Sequence, residues 1–248
     1  MTDRIVVITG ASSGIGAALG ELLAASGDSV VLVARRAAEL QGVAARCGGP
    51  AHTIVADVTR RAEVKRVVAE SIAKFGRIDV WVNNVGQGIT RTPSQLTDED
   101  IDTVMQVNVK SALYGMQEVL PHFQSRNAGQ IINISSMLGR IPFAMIRSAY
   151  CGAKHFLNAL TANFREEVQQ THPGIAVTLV SPGVVRTEFG VNALHGGPDS
   201  RSNPDSQSAE EVAAVIAALI EKPVPDSYTR RGARERVVGY YTATGVDP

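Results

Sequence analysis

Short apolar, β-branched runs alternate along this chain with longer segments whose apolar residues recur every three or four positions. That alternation predicts strands buried on both faces of a parallel sheet, with helices covering each face. Strands are predicted at residues 5–8 (IVVI), 30–33 (VVLV), 52–55 (HTIV), 80–82 (VWV), 130–134 (QIINI) and 176–180 (AVTLV). Helices are predicted over residues 17–23, 38–47, 63–75 and 148–170, with two linked helices from 98 to about 124. In the segment 63–75, Val64, Val67, Val68, Ile72 and Phe75 fall at helical spacing. Thr97 is placed to cap the helix that Asp98, Glu99 and Asp100 begin, where the dipole favours acidic residues. Pro173 and Gly174 end the long helix.

The pattern loosens after the sixth strand. Residues 192–207 are rich in Gly, Pro, Ser and Asp, and predict a long mobile loop beyond a strand's carboxyl end, where ligands of α/β sheets bind. A helix is predicted from Ser208 to about residue 221, a short edge strand at 226–229, and a last helix over 233–241. No internal repeat and no linker interrupts the sequence. The expectation is one α/β domain spanning 1–248, a Rossmann-like, doubly wound, mostly parallel sheet of about seven strands with helices on both faces.

Composition narrows the function classes. A chain of 248 residues with 44% hydrophobic and 19% charged positions is long and apolar enough to fill a core, which argues against disorder. Lys and Arg number 24 and Asp and Glu number 24, so the neutral balance gives no electrostatic reason to expect nucleic acid or an anionic membrane as partner. Cys47 and Cys151 are far apart and lack a CxxC mate, and the five histidines show no HxxH or HExxH spacing; neither a disulfide framework nor a metal site is expected. Residues 1–4 lead straight into the first predicted strand without a signal-like apolar region, and no apolar run reaches about 18 residues, so a soluble cytoplasmic protein is expected.

Three local patterns carry chemistry. Thr9-Gly10-Ala11-Ser12-Ser13-Gly14-Ile15-Gly16 joins the first strand to the first helix. Glycines in such a turn let backbone approach a pyrophosphate, and the helix N-terminus presents unpaired N–H groups to it. The spacing is G-x-x-x-G-x-G rather than GxGxxG, and an ordinary glycine-rich turn is the competing reading of this motif taken alone. Tyr150 and Lys154 lie four apart, on one face of the predicted helix. A nearby ammonium favours a phenolate and would bring a phenol of ordinary pKa near 10 toward working range. Ser135 and Ser136 stand at the end of the fifth strand, where such folds build active sites.

Together these elements resemble the short-chain dehydrogenase/reductase family over about the first 190 residues. The matching motifs are Thr9 to Gly16, Asp57-Val58, Asn83-Asn84-Val85-Gly86, Asn108 within Val107-Asn108-Val109, Ser136 ahead of Gly139, Tyr150 with Lys154, and Pro182-Gly183-Val184-Val185-Arg186-Thr187. The resemblance implies a catalytic set of Asn108, Ser136, Tyr150 and Lys154. Tyr150 would be the general acid or base at a carbonyl or alcohol oxygen, and Ser136 would hydrogen-bond the same oxygen. Lys154 would lower the pKa of Tyr150 and hold the nicotinamide ribose, and Asn108 would anchor the water of a proton relay by distorting its helix. Val85 replaces the family's usual Ala, and the interval from Ser136 to Tyr150 is one residue longer than is common. The segment 140–147 must therefore bulge, with Ser135 as the competitor for the polarising role.

The same resemblance implies a nicotinamide dinucleotide held by Gly10, Ser12, Ser13, Gly14, Ile15 and Gly16, with Asp57 at the adenine amino group and Val58 at its ring edge. Asn83 and Gly86 would lie along the adenine ribose, and Tyr150 and Lys154 at the nicotinamide ribose. Pro182, Gly183, Val185 and Thr187 would border the nicotinamide. Where NAD-selective members carry an acid after the second strand, this chain has Ala34, then Arg35 and Arg36. A guanidinium can bind a 2′-phosphate that a carboxylate would repel. Arg35 is therefore assigned the phosphate and Arg36 is as readily a solvated side chain, so NADP(H) is favoured over NAD(H).

The implied function is NADP(H)-dependent interconversion of a carbonyl and a secondary alcohol on a small-to-medium, partly apolar substrate. The alternatives are a non-enzymatic NADP(H)-binding sensor or scaffold, and an isomerase or dehydratase that retains the cofactor. Residues 1–190 would form the cofactor and catalytic core, 184–207 the substrate loop and 223–248 a variable tail, with Met137, Leu138, Ile141, Pro142, Phe143, Phe189 and Leu194 as an apolar wall. The basic run from Arg230 to Arg236 reads as a solvated tail. Relatives commonly assemble through helices matching 110–124 and 148–170, so a homodimer or homotetramer is expected.

Overall fold

The computed structural model describes residues 4–245; residues 1–3 and 246–248, the ends of the predicted domain, lie outside the described residues. The strands are β1 (Ile5–Thr9), β2 (Ser29–Ala34), β3 (Ala51–Val55), β4 (Val80–Asn83), β5 (Gly129–Ile134), β6 (Ile175–Ser181) and β7 (Asp226–Tyr228). They form one sheet in the order β3-β2-β1-β4-β5-β6-β7, and every pairing is parallel. The connecting helices are α1 (Gly14–Ala25), α2 (Ala37–Arg46), α3 (Arg61–Phe75), α4 (Asp98–Met105), α5 (Ser111–Arg126), α6 (Ser148–Thr171), α7 (Ala209–Glu221) and α8 (Ala233–Thr244).

Successive strand residues point to opposite faces, so a strand buried throughout feeds two cores. In β1, Val6 and Ile8 pack with Leu19 and Leu23 of α1, Leu40 of α2, and Val212 and Ile216 of α7. Ile5 and Val7 of the same strand pack on the other face with Val64 and Val67 of α3, Phe123 of α5 and Phe164 of α6. The chain winds outward from β1 to β3, then crosses back and winds outward from β4 to β7. The carboxyl ends of β1 and β4 thus flank the switch point, and a crevice opens there.

Thr97 accepts from the Asp100 N–H while the Asp100 carboxylate accepts from the Thr97 N–H, and Ser208 and Glu211 make the same reciprocal box at α7. The two linked helices expected after Thr97 are joined by a π-helical turn, Gln106–Lys110.

The segment 192–207 differs from the open loop that its composition predicts. The Thr90 N–H donates to Leu194 O (3.0 Å), the Leu194 N–H donates to Gly88 O (2.9 Å), and Val185 bridges Gln207. Asp199 caps a short 3₁₀ turn, Ser200–Ser202, and Asn203 Oδ1 accepts from the Asp205 N–H. Polar residues that suit turns close local turns here, and backbone bridges sew them to the end of β4.

The tail folds over the active face. Tyr241 donates to Arg140 O (2.8 Å), and the Arg236 guanidinium lies 5.1 Å from the centre of the Phe143 ring. Among the described residues no helix is long and apolar enough to cross a membrane, and no group of three or more His, Cys, Asp or Glu side chains is placed to hold a metal.

Candidate active site

A cleft of about 1150 Å³ runs along the carboxyl edge of the sheet, from the end of β2 past the switch point to α8. That exceeds an ordinary small-ligand pocket and suits a dinucleotide with a small second ligand. One wall is the β1–α1 turn. Gly10 (φ +67°) and Gly14 (φ +56°) adopt left-handed backbone that strains other residues. A Cβ at Gly16 would lie 2.5 Å from Gly10 O, so this glycine closes the turn from behind, while Ser12, Ser13, Gly14 and Ile15 line the cleft. Ser13, at the N-cap of α1, makes no side-chain cap bond and the first turn holds no acid, which leaves its N–H groups and positive dipole end for an anion.

At the end of β2 the two arginines are placed differently. Arg36, read as a solvated side chain, donates through Nη2 to Ser13 Oγ (2.9 Å) and to Ser12 Oγ (3.0 Å), which brings its fork over the glycine turn. Arg35 lines the same cleft but makes no side-chain hydrogen bond among the described residues. Asp57 and Val58 also line it, and Asp57 Oδ1 accepts from the Thr59 N–H (3.1 Å) and hydroxyl (2.8 Å).

Asn83 is a correction. It is buried inside the sheet, where Oδ1 accepts from Trp81 Nε1 (2.7 Å) and Nδ2 donates to Asn133 Oδ1 (2.8 Å). The last residue of β4 points into the layer of α5, and the next residue, Asn84, points the other way. Asn84 lines the cleft and donates to Thr9 O (3.1 Å) and Gly10 O (3.2 Å), tying the switch point together.

Ser136, Tyr150 and Lys154 meet at the opposite wall. The Ser136 hydroxyl accepts from the Leu138 N–H (3.1 Å) and lies beside the Tyr150 phenol, whereas Ser135 turns into the core and donates to Asn158 Oδ1. Tyr150 is buried, with the Phe189 ring edge-on at 5.4 Å. Burial pushes its phenol well above the ordinary value; the Ser136 hydroxyl and the Arg147 charge pull the other way. Lys154 was expected to supply that downward pull. Its Nζ instead donates to Ile134 O (2.9 Å), 5.7 Å from the centre of the Tyr150 ring, and burial lowers its own pKa to about 7. At pH 7 such a lysine is half discharged and therefore a weaker electrostatic partner than a fully charged ammonium.

Asn108 sits in the π turn, fully buried and outside the cleft lining. Its Oδ1 accepts from the Gln87 N–H (3.0 Å) and its Nδ2 donates to Gln87 O (2.9 Å) and Val104 O (3.0 Å). A Cβ at Gly86 would touch Asn108 Oδ1 at 3.2 Å and Lys154 Nζ at 3.5 Å, so Gly86 keeps the segment tight between them. Pro182, Gly183, Val185 and Thr187 line the cleft beyond β6. Of the expected apolar wall, Met137, Leu138, Phe143 and Phe189 line it; Ile141 is fully buried, and Leu194 packs with the cluster of Ile89, Val104 and Tyr150.

Arg147, which the sequence did not single out, lines the cleft, as do Arg230, Arg231 and Arg236 of the basic run read as a solvated tail. Arg147 carried one usable signal, its place three residues ahead of Tyr150 at the start of a helix. The glycine cradle, the uncapped start of α1, the Arg36 fork and a buried Lys154 with two donors beyond its bond to Ile134 O fit a nicotinamide dinucleotide.

The sequence profile of the family described as short chain dehydrogenase matches residues 4–196. An uncharacterized oxidoreductase of Staphylococcus epidermidis is 35% identical over 219 residues, 88% of this chain and 92% of the relative. A serine dehydrogenase solved with NADP+ superposes with a TM-score of 0.83 at 28% identity, covering 91% of this chain and 94% of that one. A short chain dehydrogenase/reductase of Burkholderia phymatum solved with NAD shares the fold at a TM-score of 0.89 and 21% identity, covering 100% and 99%.

Proposed function

We infer, since the chain belongs to the short-chain dehydrogenase family, that this oxidoreductase interconverts a carbonyl and a secondary alcohol with NADP(H). The observation that carries this reading is the convergence of Ser136, Tyr150 and Lys154 on one cleft with the glycine turn of α1. When bound, the nicotinamide supplies or accepts the hydride at the reacting carbon. Tyr150 gives its phenolic proton to the carbonyl oxygen during reduction and takes one back from the alcohol in reverse. A phenol that burial keeps neutral is the form reduction needs. Ser136 hydrogen-bonds the same oxygen as charge develops on it. Lys154 holds the ribose hydroxyls with its free donors, and its charge rises when polar groups resolvate it. Asn108 braces the 86–87 segment by its side chain, and the π turn around it frees main-chain groups for a proton relay.

Arg36, with Arg35 beside it and Ala34 in place of an acid, favours the 2′-phosphate of NADP(H). Solved relatives carry NADP+ in one case and NAD in another, so the choice rests on this chain's own residues. Asp57 and Val58 face the adenine, and Pro182, Gly183, Val185 and Thr187 border the nicotinamide. The loop 184–207 and the wall of Met137, Leu138, Phe143 and Phe189 shape a partly apolar substrate site. Exposed Met145 and Phe156, beside and on α6, support a homodimer or homotetramer.

Titration of the purified protein with NADPH and NADH, followed by nicotinamide fluorescence, tests the cofactor assignment, and a carbonyl panel tests the chemistry. NADPH is expected to bind at least about tenfold more tightly, as a charge-assisted phosphate contact implies. Equal or tighter NADH binding overturns the NADP(H) assignment. Tight binding without turnover of any carbonyl overturns the reductase reading in favour of a sensor.

A further inference from the structure

Arg147 occupies the N-cap of α6, three residues before Tyr150, and lines the catalytic cleft. It is half-buried, yet among the described residues its side chain makes one hydrogen bond, from Nη1 to Ile89 O at 3.2 Å. The ionisable groups acting on it are Tyr150 and Cys151, neither of them a carboxylate, and burial lowers its pKa. Other arginines of this chain are matched to acids: Arg4 to Asp28, Arg91 to Asp100, Arg140 to Asp226. Of the acids lining the cleft, Asp199 and Glu188 are engaged by Arg201.

Two glycines make room for the guanidinium at the cleft wall. A Cβ at Gly88 would lie 2.6 Å from Nη1, and one at Gly197 would lie 2.9 Å from Nη2. The hydroxyl of Thr90 borders the same niche, 2.7 Å from that second point, and is buried without a hydrogen-bond partner. A partly desolvated cation without a counter-ion is costly to the folded protein, and an anion entering the cleft lessens that cost. The fork of an arginine matches a carboxylate in two parallel hydrogen bonds.

We propose that Arg147 is the specificity residue for a carboxylate on the substrate, so that the enzyme acts on oxo acids and the corresponding hydroxy acids. This rests on the reductase reading for the reaction, though not for the binding of the anion. The oxo group lies at Tyr150 and Ser136, the carboxylate at Arg147, and the connecting carbon skeleton against Phe189, whose ring already packs on Tyr150. The apolar Phe189, Leu138 and Phe143 then select an aromatic or extended aliphatic skeleton over a short polar one.

The test has a binding arm and a turnover arm. Benzoate and benzamide are titrated by calorimetry into wild type, Arg147→Gln and Arg147→Lys, with and without NADP+. Turnover of 4-formylbenzoate is compared with that of its methyl ester in the same proteins. Wild type is expected to favour each acid by about tenfold to a hundredfold, the range of one charge-assisted contact. Arg147→Gln should lose that ratio and Arg147→Lys should keep part of it, which a merely structural arginine would not do. Equal binding of benzoate and benzamide by wild type overturns the proposal, as does an unchanged ratio in folded Arg147→Gln. Benzoate selectivity without turnover of either aldehyde upholds the anion site and counts against the reductase reading instead.

Discussion

Replacing Lys154 by methionine should stabilise the nucleotide-free protein while abolishing turnover. The lysine is buried, and its pKa falls from an ordinary 10.5 to about 7 because burial penalises the charge. At about 1.4 kcal/mol per pH unit, that displacement corresponds to about 4 kcal/mol of lost stability at pH 7, where the folded-state group is half discharged. Methionine fills similar volume without a charge but leaves Ile134 O without the Nζ donor, which costs about 1–3 kcal/mol. The variant should therefore gain about 1–3 kcal/mol at pH 7.

The sign with pH follows from proton counting. Between about 7 and 10.5 the unfolded chain holds the Lys154 proton and the folded chain does not, so wild-type stability gains from this group as pH rises. The advantage of Lys154→Met should shrink by about 1.4 kcal/mol per pH unit across that window. Urea unfolding of both proteins at pH 7, 8 and 9, at one protein concentration, reads the difference directly. A difference that stays constant with pH, or a variant less stable throughout, would refute the reasoning.

Arg36→Ser should lower the NADPH-to-NADH ratio of kcat/KM by about tenfold to a hundredfold, the value of a charge-assisted phosphate contact, in steady-state assays with both cofactors. Gly16→Ala places a Cβ 2.5 Å from Gly10 O and 2.7 Å from Asn84 Nδ2, so unfolding should cost about 1–3 kcal/mol less in denaturant and nucleotide affinity should fall together with it. Asp100 is held well below the usual carboxylate range, chiefly by the His195 hydrogen bond (2.7 Å), helped by the Thr97 backbone and by Arg91. Its contribution is present above an ordinary pKa of 3.8 and fades as pH falls below it, so acid unfolding curves of wild type and Asp100→Asn should converge on acidification.

The sheet was legible because parallel strands buried on both faces read as continuous apolar runs, and the glycine turn because backbone strain at Gly10 and Gly14 restricts the choice of residue. Convergence of Ser136, Tyr150 and Lys154 followed from spacing plus family resemblance. Asn83 was misassigned because neighbouring strand residues face opposite sides, and a motif alone does not reveal where the strand ends. The sequence likewise does not show which of Arg35 and Arg36 turns toward Ser12 and Ser13, since that depends on the backbone at the start of α2. The niche of Arg147 had no local signature. It is assembled from Gly88, Thr90 and Gly197, distant in sequence and joined by the bridge between Ile89 and Leu194. The same bridge closes the loop that composition left open.

Hydride transfer to a carbonyl with Tyr150 as proton donor can be followed with a labelled cofactor. The direct measurement is reduction of a carbonyl substrate by NADPH deuterated at the transferable position, with mass analysis of the alcohol, for wild type and Tyr150→Phe. The account predicts one deuterium in the wild-type alcohol and a rate at least about a hundredfold lower in the variant, as loss of a general acid implies. Alcohol formed without deuterium, or formed at the wild-type rate by Tyr150→Phe, would contradict it.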